Sequence, residues 1–471
     1  MKFLRNIAGA LLAAALPLAA GAQAPALATF PVGGTTVTAS ALAGNRATIW
    51  ELAWGPDNYI WMTERAGRIS RVDPATGQVQ PVLTIPDVTE NNESGLLGLA
   101  ILEPFPMSVP PFRTFWVFVV YNYTDQGVLK EKLVRYTYTT NGAMSAPTVL
   151  LGNITATTTH SGSRLLLLPD RTLLMTTGDA QQQPQAQNLA ALNGKILRLN
   201  LDGTIPADNP MAGSPVYTFG HRNPQGLVRL PNGRIYSSEH GPNNDDEINK
   251  IEPGRNYGWP NVEGYCDLPA EMTFCAANNV REPLTTWTPT IAPAGLAYYD
   301  HPAIPGWRGS LLLAVLKDHK LTQLTLDAAG LAIPTRTDFL TGFGRLRAIC
   351  VSPQGRVYVG TSNRDGRGTP TASDDRILVL ENRAYVATAT QAAPAGPALA
   401  VFPNPAHRQA TVQLPAAATR LQLTDLLGRP VLTMQPASPA VTLDFGSLQP
   451  GTYLLQADGP AGRATRKLVV E

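Results

Sequence analysis

Two segments in the middle of the chain concentrate residues that could do chemistry. Residues 220–226 read Gly-His-Arg-Asn-Pro-Gln-Gly, and residues 239–249 read Glu-His-Gly-Pro-Asn-Asn-Asp-Asp-Glu-Ile-Asn. Arg222 offers a planar fork of donors to a carboxylate or quinone oxygen. The acidic run at 245–247 supplies the oxygen ligands that calcium prefers. The two segments therefore predict an active site that holds an anionic organic ligand beside a hard divalent cation.

The start of the chain has the pattern of an export signal. Lys2 and Arg5 precede an Ala/Leu-rich run and small residues up to Ala24, which predicts a secretory signal peptide over 1–24. The run is too short for a stable membrane span, and we expect no membrane span elsewhere. Removing the two basic residues takes the formal net charge from +2 to 0. The other basic residues are scattered, which argues against nucleic acid as a partner.

The composition favours strands and turns over helices. The chain has 41 glycines and 41 prolines but only 15% charged residues, a balance typical of an all-β protein. In an oxidising compartment Cys266 and Cys275, nine residues apart, could form a local disulfide, and the sequence leaves that pairing open. Cys350 lies in an apolar run, so we expect a buried and inert thiol there.

A short phrase, a proline turn followed by a β-rich segment, recurs along the chain. Its copies contain Pro56, Pro169, Pro231 and Pro353. The spacings correspond to two, one and two units of about 60 residues, and a period of this size with several strands per unit is typical of a β-propeller. We therefore predict a six-bladed β-propeller over residues 25–383.

The same repeat predicts which residues meet. Residues just past equivalent strands should occupy equivalent places around the central channel of a propeller. These residues are Glu64, Gly178 and Asp179, Glu239 to Gly241, and Ser362 and Asn363. Polar groups from distant parts of the chain should therefore meet at one channel mouth.

The character of the chain changes after Arg383. Residues 384–400 form an Ala/Pro/Thr-rich linker, and residues 401–471 alternate in short segments. The predicted strands of this last module are Ala410 to Leu414, Arg420 to Thr424, Tyr453 to Ala457 and Arg466 to Val470. About 70 residues suffice for a small β-sandwich. The module contains no titratable cluster that could do chemistry.

A series of motifs resembles a known family. The propeller region is similar over nearly its whole length to the soluble PQQ-dependent glucose and aldose-sugar dehydrogenases. The matching segments are 54–57, 95–98, 160–164, 194–203, 220–226, 241–249 and 256–262. The tail resembles the C-terminal sorting domain of type IX secretion cargo, through Phe-Pro-Asn-Pro at 402–405, Leu-Gly-Arg at 427–429 and Leu-Gln-Pro-Gly-Thr-Tyr at 448–453. This second likeness implies passage through the periplasm, the secretion machinery as a partner, and a final place outside the cell or on its surface.

The family resemblance implies roles for individual residues. His160 is the general base that takes the proton of the sugar C1 hydroxyl while hydride passes to C5 of the quinone. Arg222 stabilises charge on the quinone, and Asp179 orients His160 or Arg222. The other residues implied to contact PQQ are Asn223, Thr290, Lys317, Arg345 and Arg347. In Arg-x-Arg the two arginines share one face of a strand, and a tricarboxylate ligand requires several cations.

Two calcium sites also follow from the resemblance. At the first, Gly241 and Pro242 give their backbone carbonyls to a calcium that polarises the C5 carbonyl of PQQ. At the second, a structural calcium is implied at Asp246, Glu247, Tyr257 and Asp267. From the residues alone, an ordinary turn and a solvated acidic loop remain open as alternatives for these two segments.

Several positions depart from the family pattern. Glu93 stands where glucose-oxidising members carry a glutamine that touches the sugar, and His240 replaces a glutamine before Gly241. Thr288 takes the place of a tryptophan near the substrate, with Trp287 adjacent. The loops over 151–193 and 267–288 are shorter than in glucose-specific members. Shorter loops should open the cleft and weaken discrimination among sugars.

The sequence thus predicts an exported, PQQ- and calcium-dependent dehydrogenase that oxidises an aldose at C1 to its lactone and passes electrons to an external acceptor. A calcium-dependent lactonase on a six-bladed scaffold is the rival enzyme, and it would not need Lys317, Arg345 or Arg347. A non-catalytic carbohydrate-binding propeller is the rival from another class. It would bind sugar without redox change and leaves the segments around His160 and Arg222 unexplained.

Overall fold

The computed structural model of the chain describes residues 24–103, 113–386, 399–414, 418–425, 429–446, 448–459 and 462–471. The predicted signal peptide up to residue 23, most of the predicted linker (387–398) and residues 426–428 of the tail motif lie outside the described residues. The chain divides into two compact units, Met1–Ala384 and Tyr385–Glu471. In the described ranges there is no helix with the length and apolar character that a membrane span needs.

The first unit is built almost entirely from β-strands. The strands of its first half are β1 (Ala26–Val32), β2 (Thr35–Ala43), β3 (Ile49–Trp54), β4 (Ile60–Glu64), β5 (Arg68–Val72), β6 (Val79–Thr84), β7 (Leu96–Leu102), β8 (Thr114–Asp125), β9 (Val128–Thr139), β10 (Thr148–Thr155), β11 (Gly162–Leu167), β12 (Thr172–Thr177) and β13 (Lys195–Asn200). The strands of its second half are β14 (Val216–Phe219), β15 (Pro224–Arg229), β16 (Ile235–Glu239), β17 (Asp246–Ile251), β18 (Thr285–Trp287), β19 (Pro293–Tyr299), β20 (Ser310–Val315), β21 (Lys320–Thr325), β22 (Thr335–Phe339), β23 (Leu346–Val351), β24 (Val357–Thr361) and β25 (Ile377–Glu381).

These strands form six antiparallel sheets within the described part of the unit. Five sheets each use four consecutive strands: β3–β6, β7–β10, β11–β14, β15–β18 and β19–β22. The sixth combines β23, β24 and β25 with β2 and β1 from the start of the chain. The first strands contact one another in a closed cycle, from β3 through β7, β11, β15, β19 and β23 back to β3. This arrangement is propeller-like, and the N-terminal strands complete the last sheet.

The recurring phrase is one turn used four times. In each copy the fourth residue donates its N–H to the carbonyl of the first at 2.9–3.0 Å, with the donors Asn58, Arg171, Gly233 and Gly355. All four donors have positive φ, between 63° and 92°, which favours glycine and asparagine at such positions. The strands that follow are β4, β12, β16 and β24, and each is the second strand of its sheet. The predicted equivalence of the four copies is confirmed.

Apolar clusters lie between neighbouring sheets. Trp61 and Ile69 of the β3–β6 sheet pack with Phe115 and Val117 of β8, and all four are fully buried. Burying a large apolar side chain stabilises a fold by about 1.5–3 kcal/mol. The faces between the sheets therefore hold the sheets together, and the loops at their ends are left to carry polar groups.

An α-helix between β17 and β18 corrects the all-β expectation. Helix α1 spans Pro269–Asn278, begins with proline in its first turn and ends at Asn279 in the left-handed conformation. Its one buried residue is Glu271, so it has no apolar face and no helical periodicity for the sequence to display. Cys266 and Cys275 form a disulfide that ties the helix to the preceding loop. Cys350 is a buried free thiol, as predicted.

The second unit contains two sheets that share one apolar core. Its strands are β26 (Ala400–Phe402), β27 (Gln409–Gln413), β28 (Arg420–Thr424), β29 (Pro430–Met434), β30 (Ala440–Asp444), β31 (Gly451–Gly459) and β32 (Gly462–Val470). One sheet has the order β26-β27-β30 and the other β29-β28-β31-β32. Val412, Leu423 and Leu455 meet in the common core. The four predicted strands are present, while β26, β29 and β30, which are short or exposed, were not predicted.

Candidate active site

The ends of all six sheets surround a cavity of about 520 Å³. Its volume falls in the range of small-molecule and cofactor sites. The cations that line it are Arg65, Arg222, Lys317, Arg345, Arg347 and Arg367, and the carboxylates are Glu93, Asp246 and Asp365. Among the described lining residues, positive charge is therefore in excess. Such a lining attracts an anionic ligand.

His160 lies at the cavity wall, just before β11. Its Nδ1 is 2.7 Å from Oδ1 of Asp179, which follows β12. A carboxylate accepts hydrogen bonds, so Nδ1 carries the ring proton and Nε2 is the basic nitrogen. The His160 backbone has a φ of 58°, and the carbonyl of His160 passes so close to Gly178 that a Cβ there would lie 1.9 Å from the oxygen. The packed segment of Gly178 thus helps to hold His160 in this left-handed conformation.

Asp179 is fully buried and its two oxygens have separate tasks. Oδ1 accepts from Nδ1 of His160 and also from the N–H of Gln181 at 2.8 Å. Oδ2 accepts from Nε1 of Trp259 at 2.9 Å. The Trp259 ring also lies beside Arg222, whose Cζ is 5.3 Å from the ring centroid. Trp259, to which the sequence assigned no role, thus connects the predicted base and the predicted quinone contact.

Arg222 and Asn223 enter the cavity just before β15. Arg222 donates its backbone N–H to Oε1 of Glu239 and its Nη1 to the carbonyl of His240 at 3.2 Å. Its Nε is buried and has no hydrogen-bond partner in the part of the chain that the structure describes. Burial lowers the pKa of Arg222, although neighbouring carboxylates oppose the shift. Asn223 is buried and accepts the N–H of Gly162 at 3.1 Å.

Opposite these residues, cations line the wall. Arg345 and Arg347 both bind Oδ2 of Asp365, at 2.8 and 3.3 Å, so the two arginines share one face as predicted. Burial lowers the pKa of Arg347 to about 10. Lys317 follows β20 and donates Nζ to Oγ1 of Thr290 at 2.8 Å. One carboxylate cannot neutralise this group, so the wall keeps a net positive charge.

The segment after β16 reaches the same cavity. Gly241 and Pro242 line it, and Gly241 donates its N–H to Oδ1 of Asp246 at 2.8 Å. Asp246 also accepts the N–H groups of Ile291 and Ala292 through Oδ2. Burial raises the pKa of Asp246 to about 6, and these N–H groups oppose the shift. Asp246 is thus held by the backbone around it.

The side chain of His240 also lines the cavity. Its Nε2 is buried without a hydrogen-bond partner among the residues whose positions are described. Burial first, and then the charges of Arg222 and Arg347, lower the pKa of His240 well below its usual value. A neutral imidazole therefore faces the ligand cavity.

A second, smaller cavity of about 20 Å³ lies behind the first. Glu247 and Tyr257 line it, together with Glu239 and Glu263. Burial and the nearby charge of Glu239 raise the pKa of Glu247. Asp246 and Glu247 are neighbours on β17 and point to opposite faces, so the structure places Asp246 at the first cavity and Glu247 at the second. Asp267 is exposed and lines neither cavity.

Glu93 is at the open side of the cavity, in the loop before β7. Its Oε2 accepts the N–H of His160 at 3.4 Å, and its Oε1 is 2.9 Å from Nη2 of Arg367. Arg367 comes from the loop between β24 and β25. The sequence singled out Glu93 but gave no sign of its partner, because the two residues are far apart in the chain.

The structure brings most of the predicted site residues together. The predicted residues that line the main cavity are Glu93, His160, Arg222, Asn223, Gly241, Pro242, Asp246, Thr290, Lys317, Arg345 and Arg347. Of the residues predicted to meet at a channel mouth, only His240 and Gly241 line the cavity, whereas Glu64, Gly178, Asp179, Glu239, Ser362 and Asn363 do not. The Glu64 carboxylate instead accepts the N–H of Ala47 and pairs with Arg68. Within the described residues, no group of three or more His, Cys, Asp or Glu side chains could hold a metal ion.

Other lining residues were not found from the sequence. They are Arg65, Thr159, Gln181, Gln225, Ala292, Leu316, Asp365 and Arg367. Asp365 and Arg367 stand in the segment Ser-Asn-Arg-Asp-Gly-Arg, two residues apart, just past a copy of the repeated strand. Their position after that strand is the signal that could have found them.

Comparison with known proteins places this geometry among sugar dehydrogenases. Residues 46–378 match the family model for glucose/sorbosone dehydrogenase, and residues 400–471 match that for the secretion system C-terminal sorting domain. Quinoprotein glucose dehydrogenase B of Acinetobacter calcoaceticus is 34% identical, over 70% of this chain and 86% of its own length. An aldose sugar dehydrogenase of Escherichia coli is 30% identical, over 67% and 88%. The PQQ-bound aldose sugar dehydrogenase of Streptomyces coelicolor superposes with a TM-score of 0.64 at 32% identity, over 74% of this chain and 99% of that one.

Proposed function

Since the chain belongs to the glucose/sorbosone dehydrogenase family, we propose that it oxidises an aldose sugar at C1 to the lactone, with PQQ and calcium. The closed cycle of first strands supports a six-bladed propeller over residues 25–383 as the catalytic domain. The two sheets with a common core support a β-sandwich over 401–471. The match to a sorting domain supports export through the periplasm to the medium or the cell surface, with the secretion machinery as a partner.

The observation that carries the proposal is the His160–Asp179 pair at the wall of a cationic cavity. Oxidation of a cyclic aldose at C1 removes the hydroxyl proton and the C1 hydride and leaves the C=O of the lactone. Nε2 of His160 takes the proton, since Nδ1 is engaged by Asp179 at 2.7 Å. Asp179 stabilises the imidazolium that forms and fixes the ring, while Trp259 and Gln181 hold Asp179 in place.

The donor set of the cavity fits PQQ, a tricarboxylate. Lys317, Arg345 and Arg347 would hold its carboxylates, with Thr290 as a further contact, and each guanidinium has more donors than Asp365 uses. Arg222 would contact a quinone oxygen, and its buried Nε, unpartnered among the described residues, is an available donor. When bound, PQQ supplies the two-electron acceptor that receives the C1 hydride at C5.

Calcium would be held by backbone carbonyls at the first site. Gly241 and Pro242 lie at the cavity wall, and calcium binds backbone carbonyl oxygens of this kind. For a second, structural calcium, the buried carboxylates Glu239 and Glu247 beside Tyr257 form a suitable donor set, since their mutual repulsion would be relieved by a cation. Asp246 and Asp267 stay predictions as ligands there, and neither lines that small cavity.

The test is dye-linked sugar oxidation by the purified apo-protein. Calcium is added with and without PQQ, and a panel of aldoses is supplied. Dye reduction that depends strictly on PQQ is the expected result, with the dye in place of the external acceptor. Calcium-loaded protein that hydrolyses a lactone without PQQ, or that binds sugar without reducing dye, would overturn the proposal in favour of a lactonase or a sugar-binding propeller.

A further inference from the structure

We infer that Glu93 and Arg367 form a charge-sensitive subsite at the mouth of the cavity, which selects neutral aldoses over charged sugars. The inference rests on the proposed function and names the substrate class of the same site. It assigns Arg367 a specificity-determining role.

The two residues reach each other across the open side of the cavity. Glu93 belongs to the β7–β10 sheet and Arg367 to the sheet of β23–β25, with the β3–β6 sheet between them in the cycle of first strands. Nη2 of Arg367 is 2.9 Å from Oε1 of Glu93. The Arg367 side chain is 55% exposed, whereas that of Arg347 deeper in the cavity is 5% exposed. The pair therefore lies where a sugar enters.

The carboxylate is held close to the predicted base. The backbone N–H of Glu93 donates to the carbonyl of Thr158 at 2.9 Å, and Oε2 of Glu93 accepts the N–H of His160 at 3.4 Å. A sugar with C1 at Nε2 of His160 must therefore present another part of its ring to Glu93. A carboxylate accepts from sugar hydroxyls, and a guanidinium donates to hydroxyl or ring oxygens.

The arginine is anchored at its backbone, and its guanidinium pairs with Glu93 at the half-exposed end of the side chain. The N–H of Arg367 donates to Oδ1 of Asp365 at 3.0 Å, and the same Asp365 holds Arg345 and Arg347. A half-exposed ion pair is weak, so sugar hydroxyls can insert into it. A neutral polyol can bridge the two groups without leaving either charge unpaired.

A charged sugar cannot do so. An ammonium group would pair with Glu93 and meet Arg367 as a like charge, and a carboxylate would pair with Arg367 and meet Glu93. Discrimination of this kind comes from the repelling partner as much as from the attracting one. Removal of one partner should therefore open the cavity to one class of charged sugar, depending on which partner is removed.

The experiment compares kcat/KM for glucose, glucosamine with its amine protonated, and glucuronate in the PQQ-loaded full chain. Glu93→Gln should raise the ratio of glucuronate to glucose by about ten-fold, and Arg367→Gln should raise that of glucosamine to glucose by a similar factor, mainly through KM. The double variant Glu93→Arg with Arg367→Glu should bring both ratios back toward those of the wild type. Arg308→Gln is the matched control, since Arg308 is also 55% exposed in an ion pair but does not line the cavity.

The inference would be overturned if, in both single variants, the kcat/KM ratios of the charged sugars to glucose stay within about two-fold of the wild-type ratios. An equal loss of kcat for all three sugars would also overturn it, because it would mean that the pair only supports the loops. A wild-type chain that reduces no dye with any sugar would instead overturn the proposed function. In that case calorimetry measures the affinities of the wild type and the same variants for the three sugars. Affinities for the charged sugars relative to glucose that shift in the variants support the subsite, and unchanged relative affinities overturn it.

Discussion

Two histidine–carboxylate pairs lie at the same ends of neighbouring sheets of the first unit. His160 precedes β11 and pairs with Asp179 after β12, and His221 precedes β15 and pairs with Glu239 at the end of β16. The partners are 19 and 18 residues apart, and Nδ1 faces the carboxylate in both, at 2.7 and 2.9 Å. The same two chemical groups thus occur in two neighbouring sheets, although not at equivalent positions of the repeat: the strand pairings set an offset of 62 residues, whereas the histidines are 61 residues apart.

The pairs differ in what surrounds the second ring nitrogen. His221 is fully buried, its Nε2 is 2.8 Å from Oγ1 of Thr218, and its ring stacks on Tyr257 at 4.6 Å. His160 keeps 18% of its side chain exposed at the cavity wall. The fully engaged imidazole is suited to hold its neighbours in place, and the open one is suited to move a proton. Access to Nε2, rather than the pair itself, separates the catalytic role from the structural role.

The largest expected effect is on His160. His160→Ala should reduce turnover with any aldose by about 10²- to 10⁴-fold, because the proton acceptor for the C1 hydroxyl is lost. The folded state should be affected less than in a variant of the fully buried His221, since Asp179 keeps the donors of Trp259 and Gln181. Steady-state dye reduction and thermal unfolding of the PQQ-loaded protein measure the two effects. Normal kcat in this variant would remove the distinction drawn between the two pairs.

His221→Ala should have the opposite profile. The change removes the imidazole from the buried Glu239 carboxylate, which among the described residues keeps only the N–H of Arg222 as a donor, and a buried group that loses such a partner costs about 1–3 kcal/mol or more when charged. Denaturant unfolding should show this loss, while turnover per folded molecule should stay within about ten-fold of the wild type, since His221 does not reach the cavity. His221→Gln, which keeps a donor toward Glu239, should be milder. Loss of turnover in a stable His221 variant would place this pair in the reaction.

Local signals made much of the fold predictable. The four proline turns were recognisable because a turn with a left-handed fourth residue restricts its own sequence, and each turn begins the second strand of a sheet. The pairing of β2 with β25 joins residues more than 300 positions apart and leaves no local trace. Helix α1 was missed because its surface is exposed almost all round, which removes the apolar periodicity that indicates a helix.

The site was predictable where family motifs cover it and not where loops supply single residues. His160 and Arg222 stand in such motifs, Asp179 follows a copy of the repeated phrase, and the structure brings the three residues together. Trp259 also stands in a motif, but the sequence could not show that its N–H meets Asp179 across 80 positions. Arg367 meets Glu93 only through the path of its loop. Such contacts depend on tertiary geometry, so spacing in the sequence does not reveal them.

Trp259→Phe sharpens the comparison at the first pair. The variant keeps a ring beside Arg222 but loses the N–H that fixes Oδ2 of Asp179. A lost hydrogen bond to a charged group is worth about 1.5–3 kcal/mol, so kcat should fall by about ten- to a hundred-fold, with KM nearly unchanged.

Trp259→His, which retains a ring N–H, serves as the control for this positioning role. It should recover part of the lost kcat. Equal losses in kcat and in stability, with no recovery in the histidine variant, would show that Trp259 only fills space.

The last effect depends on pH and concerns a buried carboxyl that has no imidazole partner. Glu131 on β9 accepts a hydrogen bond from the Ser163 hydroxyl, with Oγ at 3.0 Å from Oε2. Burial raises the pKa of Glu131 from about 4.5 to about 8. In the folded chain Glu131 therefore keeps its proton up to about pH 8, whereas the unfolded chain releases it above about pH 4.5. Deprotonation favours the unfolded state, so this contribution to stability is complete at low pH and is lost as the pH rises toward 8.

Between pH 5 and pH 8 the loss should approach about 1.4 kcal/mol per pH unit, and Glu131→Gln should remove it. Unfolding free energies of the wild type and the variant, compared at pH 6 and pH 7, test this directly: the advantage of the variant should grow by about that amount. A difference that does not change with pH would mean that Glu131 is ionised in the folded chain. Burial without an imidazole partner would then not be enough to keep a carboxyl of this protein protonated.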